Sequence, residues 1–252
     1  QYLEQSGSRF TTMRRTLVGG TAMPAALIAK FAEGYGVEVR HGWGMTETTA
    51  VATIGSLTPE EQALPPAERH AIVARQGKSL FGVDIKVVDA DGATLPRDGE
   101  SQGELLVRGQ WIGSAYYKGE ASPLVDGWFP TGDIATIDAD GRMQIRDRTK
   151  DVIKSGGEWI SSIDLENAAM GHPGVAMAAV VGLRHPKWDE RPLMLIVRKP
   201  GQAVTKDDVL AFLASRVASW WLPDEVIFGA SLPVGGTGKV QKGPLRAPYG
   251  SL

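Results

Sequence analysis

The stretch Gly42–Glu47, with the sequence GWGMTE, carries the residues best suited to chemistry in this chain. Its glycines allow a tight turn and a close approach of the backbone to a ligand. Trp43 presents a broad flat face, the Thr46 hydroxyl can donate a hydrogen bond to a phosphate oxygen, and the Glu47 carboxylate is a good ligand for Mg²⁺. Because such patterns are also typical of ordinary loops, this stretch gains meaning only from three other motifs later in the chain.

Asp133 ends a second stretch, Gly127–Asp133, with the sequence GWFPTGD. An aspartate after a glycine is typical of a turn or a helix cap. Its carboxylate can equally accept two hydrogen bonds from a vicinal diol. Arg148 follows in the third stretch, DRTKD, where it could form a surface ion pair with either neighbouring aspartate.

Lys239 lies in the fourth stretch, the glycine-rich Gly235–Lys239 near the end of the chain. A loop lysine is normally just solvated. A mobile ammonium group could instead hold a carboxylate and a phosphate together and offset the charge that develops between them. The glycine spacing differs from that of a Walker loop, which also needs a preceding strand.

Length and composition narrow the classes of protein. The 252 residues suffice for one large domain or two small ones. A net charge of −2 gives no basic field for nucleic acid, so we expect no nucleic-acid partner. The absence of cysteine excludes disulfides and thiolate metal sites and fits a cytoplasmic location. No apolar run approaches the ~20 residues of a transmembrane segment.

The elements around these stretches follow from the apolar pattern. Leu17–Val18 reads as a strand that enters the Gly19–Gly20 turn, and Thr21 is expected to cap the helix that follows. A further strand over 37–40 would complete a βαβ unit, with Gly19–Gly20 and the GWGMTE stretch at the carboxyl ends where ligands gather. A purely structural role as a helix cap and tight turn explains Gly19–Gly20 as well as a role in ligand binding does.

Two regions of different character follow. Alternating apolar residues and turn signals over roughly 77–146 predict several short strands in a small barrel or sandwich. After Lys150, strands and helices interleave without a βαβ rhythm, which favours a small α+β domain. One of its helices is predicted near 163–170, and another is expected to begin at Thr205 and end at Pro223.

Together and in this order, the four stretches resemble the adenylate-forming superfamily and, within it, the AMP-forming acyl-CoA synthetases. Trp43 replaces the tyrosine common across the superfamily, and both it and the segment His185–Pro192 are similar to the subgroup acting on medium-chain fatty acids and methylthiopropionate. The superfamily's phosphate-binding loop, rich in Ser, Thr and Gly and ending in Pro-Lys-Gly, is not found in these residues. We therefore expect the chain to be roughly the second half of a longer enzyme, and to be inactive by itself.

The resemblance implies a fold and a domain boundary. The fold would be an α/β remnant plus a small β-barrel-like module, followed by a separate α+β C-terminal domain. Residues 1–149 would be the end of the large domain, with the βαβ remnant at about 15–56 and the β module at about 77–146. Residues 150–252 would form the small mobile domain, with Lys150 as the hinge.

The resemblance also implies roles for individual residues. Lys239, Thr46 and Glu47 would be catalytic, with Mg²⁺ on Glu47, while Asp133 and Arg148 would hold the ribose of ATP. The residues expected to bind ATP or AMP are Gly19, Gly20, Thr21, Gly42, Trp43, Gly44, Met45, Thr46, Asp133 and Arg148. The residues expected to line the tunnel for the pantetheine arm of CoA are Ser155, Gly156, Gly157 and Glu158. The roles of two residues stay undecided. Trp159 could line the tunnel or pack in the core, and His41 could line the acyl pocket or end a strand.

The implied reaction activates a carboxylic acid with ATP, giving acyl-AMP and pyrophosphate, after which the CoA thiol displaces AMP. ATP, Mg²⁺ and CoA would be required, and a homo-oligomer is possible. One rival is another adenylating enzyme, such as an amino-acid-activating domain that serves a carrier protein. The other is an inactive fragment that binds a nucleotide or a partner.

Overall fold

The computed structural model describes residues 2–119, 121–236 and 239–249. The chain divides into two compact units, Gln1–Ile145 and Arg146–Leu252. Each unit combines a mixed β-sheet with helices. No helix in these described ranges has the length and apolar character needed to span a bilayer.

The first unit is built around one mixed sheet, whose eight strands in the described residues follow the order β1-β2-β3-β4-β8-β7-β6-β5. The strands are β1 (Arg15–Val18), β2 (Glu38–Trp43), β3 (Thr53–Ile54), β4 (Gly77–Ser79), β5 (Val83–Val88), β6 (Gly103–Gly109), β7 (Phe129–Ile137) and β8 (Arg142–Arg148). The helices are α1 (Tyr2–Ser6), α2 (Ala25–Ala29), α3 (Pro59–Gln62) and α4 (Pro66–Val73). Strand β8 continues into the second unit.

The parallel pair β1 and β2 is joined through α2 and a π-helical turn over Lys30–Gly34. Ile28 of α2 packs against Val39 of β2 in a small apolar core. The helix begins only at Ala25, after Pro24, with no side-chain cap. Our prediction that Thr21 caps this helix is therefore wrong, because Pro24 takes the capping position.

The strands β4 to β8 pair antiparallel around a second apolar core, as their alternating sequences predict. The turn between β7 and β8 uses Gly141 at φ +80°, and the Asp138 carboxylate accepts a hydrogen bond from the Arg142 amide. Trp43 packs into this core, so the apolar interior of the β strands also supports the GWGMTE stretch.

The second unit holds a mixed sheet of five strands within the described residues, with the path β10-β9-β12-β11 and β13 parallel to β12. The strands are β9 (Ile153–Ser155), β10 (Glu158–Ile160), β11 (Val175–His185), β12 (Asp189–Arg198) and β13 (Glu225–Gly229). The helices are α5 (Ser162–Met170), α6 (Lys206–Ala214) and α7 (Lys242–Arg246), and a 3-10 turn covers Ser219–Trp221.

Both faces of this sheet are covered. On one face, Leu165 of α5 and Leu213 of α6 join a buried cluster with Val180 and Ile196. On the other face, Leu245 of α7 packs with the alternate residues of β11 and β12. Helix α7 is therefore held by the core as well as by its polar residues.

The helix starts agree with their capping residues. The Ser161 side chain accepts from the Asp164 amide before α5, and Thr205 forms a capping box with Asp208 before α6. Helix α6 ends at Ala214, so the prediction that it runs to Pro223 is wrong. A separate 3-10 turn fills the chain before that proline.

Candidate functional site

Trp43 and Asp133, from two different motif stretches, meet inside the first unit. The indole Nε1 donates a hydrogen bond to Asp133 Oδ2 at 2.8 Å, although the residues lie 90 positions apart. Both are buried, with 9% and 3% of their surface exposed. A buried carboxylate needs hydrogen-bond donors, and Trp43 supplies one in place of solvent. The contact fixes the direction of the carboxylate at the end of β2.

The two glycines that flank Trp43 are required by the fold itself. A Cβ on Gly42 would lie 2.9 Å from the Thr53 carbonyl oxygen, and one on Gly44 would lie 2.1 Å from the carbonyl oxygen of Ala50. The chain therefore folds back against itself at both positions. This close packing sets the path of Met45 into the 3-10 turn Thr46–Thr48.

Thr46 and Glu47 stand at the surface end of this turn. Thr46 is exposed and Glu47 is half-buried. The Tyr116 hydroxyl donates to Glu47 Oε1 at 2.8 Å, and the hydrogen bond to this carboxylate raises the pKa of Tyr116. The Gly113 amide donates to the Glu47 carbonyl at 2.7 Å. The segment 113–116 thus orients the Glu47 carboxylate, which the sequence predicts as a ligand for Mg²⁺.

The donor set fits Mg²⁺ bound together with a phosphate substrate. No group of three or more acidic or histidine side chains suited to a metal occurs in the part of the chain that the structure describes. Mg²⁺ is commonly held by one or two carboxylates plus substrate phosphates rather than by a complete protein cage. Glu47 beside the exposed Thr46 hydroxyl matches that arrangement.

The Gly19–Thr21 loop is tied to β2 by His41. Gly20 adopts φ +82°, and a Cβ on Gly19 would lie 3.4 Å from the carbonyl oxygen of Gly42. His41 is 1% exposed, and its Nε2 lies 3.1 Å from the Thr21 carbonyl oxygen. His41 therefore lies inside the strand and supports the loop.

The neighbours of His41 indicate its protonation. Burial lowers the pKa of His41, which favours the neutral ring. The Gln76 amide nitrogen lies 3.4 Å from Nδ1, while Gln76 Oε1 accepts from the Ile145 amide. His41 Nδ1 also lies 2.9 Å from the Ala74 carbonyl oxygen. Since the Ala74 and Thr21 carbonyls can only accept, a neutral ring donates to one of them and not to both.

The second unit contains a cleft of about 460 Å³. It is lined by Ser155, Gly156, Glu158, Trp188, Arg191, Trp220 and Asp224. Three of the expected tunnel residues, Ser155, Gly156 and Glu158, are in this set. Gly157 follows Gly156 in the same turn, at φ +88°, and Trp159 is half-buried in β10.

The walls of the cleft are two tryptophans held by different means. A Cβ on Gly156 would lie 3.0 Å from the Trp188 ring, so the glycine lets the ring close over the turn. Arg191 pairs with Asp224 at 2.9 and 2.7 Å. The same guanidinium donates to the Trp220 carbonyl at 2.7 Å, which fixes the second wall.

The expected ribose and hinge residues lie on the surface of the second unit. Arg148 and Lys150 are both exposed, and the Arg148 amide donates to Asp147 Oδ1 at 2.7 Å. The Lys150 carbonyl accepts from Arg246 Nη2 at 3.1 Å. The same Arg246 nitrogen pairs with Asp151 Oδ1 at 2.8 Å. Since Asp133 and Arg148 belong to different units, their shared role stays a prediction.

Lys239 is exposed on a loop that is closed at its base. The Gly235 amide donates to the Lys239 carbonyl at 2.8 Å, and the Gln241 amide donates to the Pro233 carbonyl at 2.8 Å. Val234 and Val240 form a β-bridge between these bonds. Two residues of the predicted motif, Thr237 and Gly238, lie outside the described residues.

Two family models match this chain. The model described as AMP-binding enzyme matches residues 2–117, and the model of the AMP-binding enzyme C-terminal domain matches residues 164–239. Together they cover more than half of the chain. The chain belongs to the AMP-binding enzyme family. The resemblance to adenylate-forming acyl-CoA synthetases read from the sequence is therefore confirmed.

Curated relatives of this chain are named CoA ligases. The chain is 48% identical over 244 residues to 3-methylmercaptopropionyl-CoA ligase of Ruegeria pomeroyi, covering 96% of this chain and 45% of that protein. It is 46% identical to medium-chain-fatty-acid–CoA ligase of Ectopseudomonas oleovorans, covering 98% and 45% respectively. The chain thus spans less than half the length of these relatives.

Solved structures of adenylate-forming enzymes share the fold. ATP-bound MatB from Rhodopseudomonas palustris matches with a TM-score of 0.81 and 29% identity, covering 94% of this chain and 46% of that one. o-Succinylbenzoate CoA synthetase from Bacillus subtilis, in complex with an acyl-adenylate intermediate, matches with a TM-score of 0.82 and 28% identity. That match covers 97% of this chain and 48% of the other.

Sequence reasoning missed several side chains that contact the predicted site residues or line the cleft. Tyr116 lies 69 positions after the glutamate it contacts, and Arg191 contacts a backbone segment about 30 positions away. Tyr116 has no local signal, because an isolated tyrosine is common in any sequence. Arg191 and Trp188 lie in the segment His185–Pro192, which the sequence singled out without a role for either side chain. The exposure of Trp188 and Trp220, 43% and 42%, appears only in the structure.

Proposed function

We propose that the protein containing this chain is an AMP-forming acyl-CoA ligase that activates a medium-chain fatty acid or a related acid such as a methylthio-substituted propionate. The observation that carries the proposal is the hydrogen bond from Trp43 to Asp133. It joins the two motifs expected to bind ATP, and it uses the tryptophan that is typical of this subgroup. The names and identities of the curated relatives support the same acid class.

The proposal extends to the architecture. Residues 1–149 would be the end of a large domain that contains the βαβ remnant and the barrel-like β module. Residues 150–252 would be a separate mobile domain that turns at Lys150. Arrangements of this kind allow one protein to present two different surfaces to the same intermediate.

In the first step, the chain would bind ATP through both backbone and side chains. Asp133, oriented by Trp43, would accept hydrogen bonds from the ribose hydroxyls, with Arg148 as a second ribose ligand. The Gly19–Thr21 loop would line the adenine, and the GWGMTE turn would approach the phosphates. Glu47, oriented by Tyr116, would hold Mg²⁺, which when bound offsets phosphate charge.

Lys239 would supply a cation where the acid carboxylate attacks the α-phosphate. A positioned ammonium group lowers the barrier most where negative charge builds up in the transition state. An exposed lysine on a loop pinned at its base suits this role, since the side chain stays mobile while its backbone is held.

In the second step, the CoA thiol would displace AMP from the acyl-adenylate. We assign the pantetheine arm of CoA to the cleft next to Ser155, Gly156, Gly157 and Glu158. The tryptophan walls give an apolar surface for the alkyl parts of the arm, and Glu158 and Ser155 offer polar groups for its amides. A cytoplasmic location and a homo-oligomer stay predictions of the sequence.

The test is made on the full-length protein that carries this chain. We expect pyrophosphate exchange that depends on ATP, Mg²⁺ and a medium-chain or methylthio acid, and AMP release that depends on CoA. Asp133→Asn should raise the KM for ATP. Exchange with amino acids and no CoA-dependent release would favour carrier-protein chemistry. Binding of ATP without any exchange would favour an inactive binding protein.

A further inference from the structure

A buried polar network in the second unit links α7 to the end of β8. Lys242 Nζ pairs with Glu166 Oε1 at 2.8 Å and donates to Ser162 Oγ at 2.5 Å. Ser162 in turn donates through its hydroxyl to Asp147 Oδ2 at 2.6 Å. Only 12% of the Lys242 side chain and 16% of the Glu166 side chain are exposed. The ammonium group therefore sits between two acids in a site largely closed to water.

The acids of this network are also fastened to the backbone. Asp147 accepts from the amides of Arg148 at 2.7 Å and Ser162 at 2.6 Å. Glu166 accepts from the Val180 amide at 2.8 Å. Burial raises the pKa of both carboxyls, and the Lys242 charge opposes that effect. These contacts join β8, α5 and β11 around one lysine.

Lys242 lies three residues after Lys239, at the point where the Lys239 loop enters α7. The loop base is fixed by the backbone bonds of Gly235 and Gln241 described above. Gln241 stands directly between that base and Lys242. Among the described residues of 233–242, Lys239 and Lys242 are charged. Lys239 is exposed, whereas Lys242 forms a largely buried ion pair, so Lys242 is the charged side chain that anchors the Lys239 loop.

We propose that Lys242 is a positioning residue that fixes the backbone on the C-terminal side of Lys239. The proposal rests on the proposed role of Lys239 in adenylation. The Arg148 amide is bonded to Asp147 rather than to Lys242, so the Lys242 changes leave this contact in place. Lys242 itself does not contact the substrate. Catalytic groups lose much of their effect when displaced by about 1 Å, which makes such an anchor consequential.

Three variants of the full-length protein separate an effect on the position of Lys239 from an effect on stability. Lys242→Met alone leaves the Glu166 carboxylate buried without its partner, which can unfold the unit. Lys242→Met combined with Glu166→Gln removes both charges of the ion pair and keeps the volume, and such paired removals are often neutral for stability. Asp147 keeps its three other donors, the Ser162 hydroxyl and the amides of Ser162 and Arg148. Lys242→Arg keeps the charge and serves as the conservative rescue.

The matched control is the pair Lys206→Met with Glu225→Gln. These residues form a partly exposed ion pair of 3.1 Å in the same unit, and neither belongs to the Lys239 loop or to the Lys242 network. We expect this control to leave both half-reactions unchanged. Thermal midpoints establish that each variant is folded before its rates are compared.

The expected result is a split between the half-reactions. The folded double variant should lose about tenfold to 100-fold in kcat for pyrophosphate exchange. Thioester formation from supplied acyl-AMP and CoA should change less than about twofold, because Lys239 is assigned only to adenylation. Hydrogen exchange on the 252-residue chain should show faster exchange at the Gly235 and Gln241 amides.

A double-mutant cycle with Lys239→Ala tests the route of the effect. If Lys242 acts through Lys239, the Lys242 changes should add no further loss of adenylation in the Lys239→Ala background. Equal slowing of both half-reactions, additive losses, or unchanged adenylation in a folded double variant would each overturn the proposal. Normal adenylation in Lys239→Ala alone would instead overturn the assigned role of Lys239.

Discussion

The two units use buried carboxylates in opposite ways. In the first unit, buried Asp133 accepts a hydrogen bond from Trp43 and lies in a motif stretch to which we assign ATP binding. In the second unit, Asp147 and Glu166 are buried around a charged donor, Lys242. Lys239, to which we assign a role in adenylation, is exposed. In our proposal, burial therefore surrounds a ligand-binding group in the first unit and supports an exposed group in the second.

We expect the largest loss of stability when the charged network around Lys242 is broken. Lys242→Met should lower the free energy of unfolding of the second unit by about 3–5 kcal/mol at pH 7, because it leaves buried carboxylates uncompensated. The control Lys206→Met removes a partly exposed ion pair and should cost about 0–1 kcal/mol. Denaturant unfolding of the chain measures both. Equal small losses would show that the network does not differ from a surface pair.

The pH dependence of the Lys242→Met loss has a defined sign. Burial raises the pKa of Asp147 above its ordinary 3.8 and that of Glu166 above 4.5. Because the folded unit then binds protons more tightly than the unfolded chain, the free energy of unfolding falls as pH rises from these ordinary values through the raised ones. Acidification from pH 7 toward pH 5 should therefore recover part of the lost stability. Greater loss on acidification would contradict this assignment.

The next effect removes the exposed lysine. Lys239→Ala should slow adenylation by ~10²–10³, roughly 3–4 kcal/mol, by taking away a transition-state cation. Its stability should hardly change, since Lys239 is exposed. Pyrophosphate exchange and thioester formation are timed separately. Equal slowing of both steps would assign the loop a general structural role.

A smaller effect tests the neutral pair of the first unit. Asp133→Asn should raise the KM for ATP by a factor that corresponds to about 1.5–3 kcal/mol, the usual range for hydrogen bonds to a charged group. Trp43→Phe keeps an aromatic side chain, although a smaller one, and leaves the buried carboxylate without one donor. The loss of the donor alone should cost about 1–3 kcal/mol in stability. A Trp43→Phe protein with wild-type stability and KM would remove the hydrogen bond from the proposed site.

A further prediction concerns the support of Glu47. Tyr116→Phe removes the hydroxyl that donates to Glu47 Oε1 and little else, because Tyr116 is more than half exposed. The concentration of Mg²⁺ needed for half-maximal activity should rise by about tenfold, the low end of the effects seen for groups that orient metal ligands. The neighbouring Tyr117 is 91% exposed, and Tyr117→Phe provides the matched control. An unchanged Mg²⁺ requirement would assign Tyr116 to packing alone.

The smallest difference lies in the glycine turn beside the cleft. Gly156→Ala and Gly157→Ala both place a side chain at positive φ, at +61° and +88°, so each should cost about 1–2 kcal/mol in stability. Only the first meets the Trp188 ring, at 3.0 Å. Gly156→Ala should therefore raise the KM for CoA more than Gly157→Ala does. Equal KM values for CoA in the two variants would show that the cleft is not the CoA site.

Local patterns predicted much of the fold. The alternation in Val83–Val88 and the turn Asp138–Gly141 act over a few residues, as do the caps at Ser161 and Thr205, and all appear as expected. The short strands β9 and β10 carry too few residues to show a period, and their pairing was missed. Thr21 failed as a cap because Pro24 begins the helix later than the pattern suggested.

The sequence predicts individual site residues, but it does not predict which residues contact them. Trp43, Asp133 and Glu47 carry motif signals, but the partner of each lies many positions away. No motif marks Lys242 or Glu166, since sequence does not show which charge the fold will bury. Long-range packing decides these contacts, and it leaves no trace in local spacing.

The contact between Arg246 and the Lys150 carbonyl bears on how freely the proposed hinge turns. Rotation about the backbone of Lys150 redirects this carbonyl, so Arg246 favours one orientation of the hinge over others. A partly exposed charge-assisted contact of this kind contributes about 1 kcal/mol, equivalent to roughly a fivefold bias between two populations. The C-terminal helix α7 would thus influence the relative populations of the hinge orientations used in the two half-reactions, and the rate of exchange between them. It would do so without contacting either substrate.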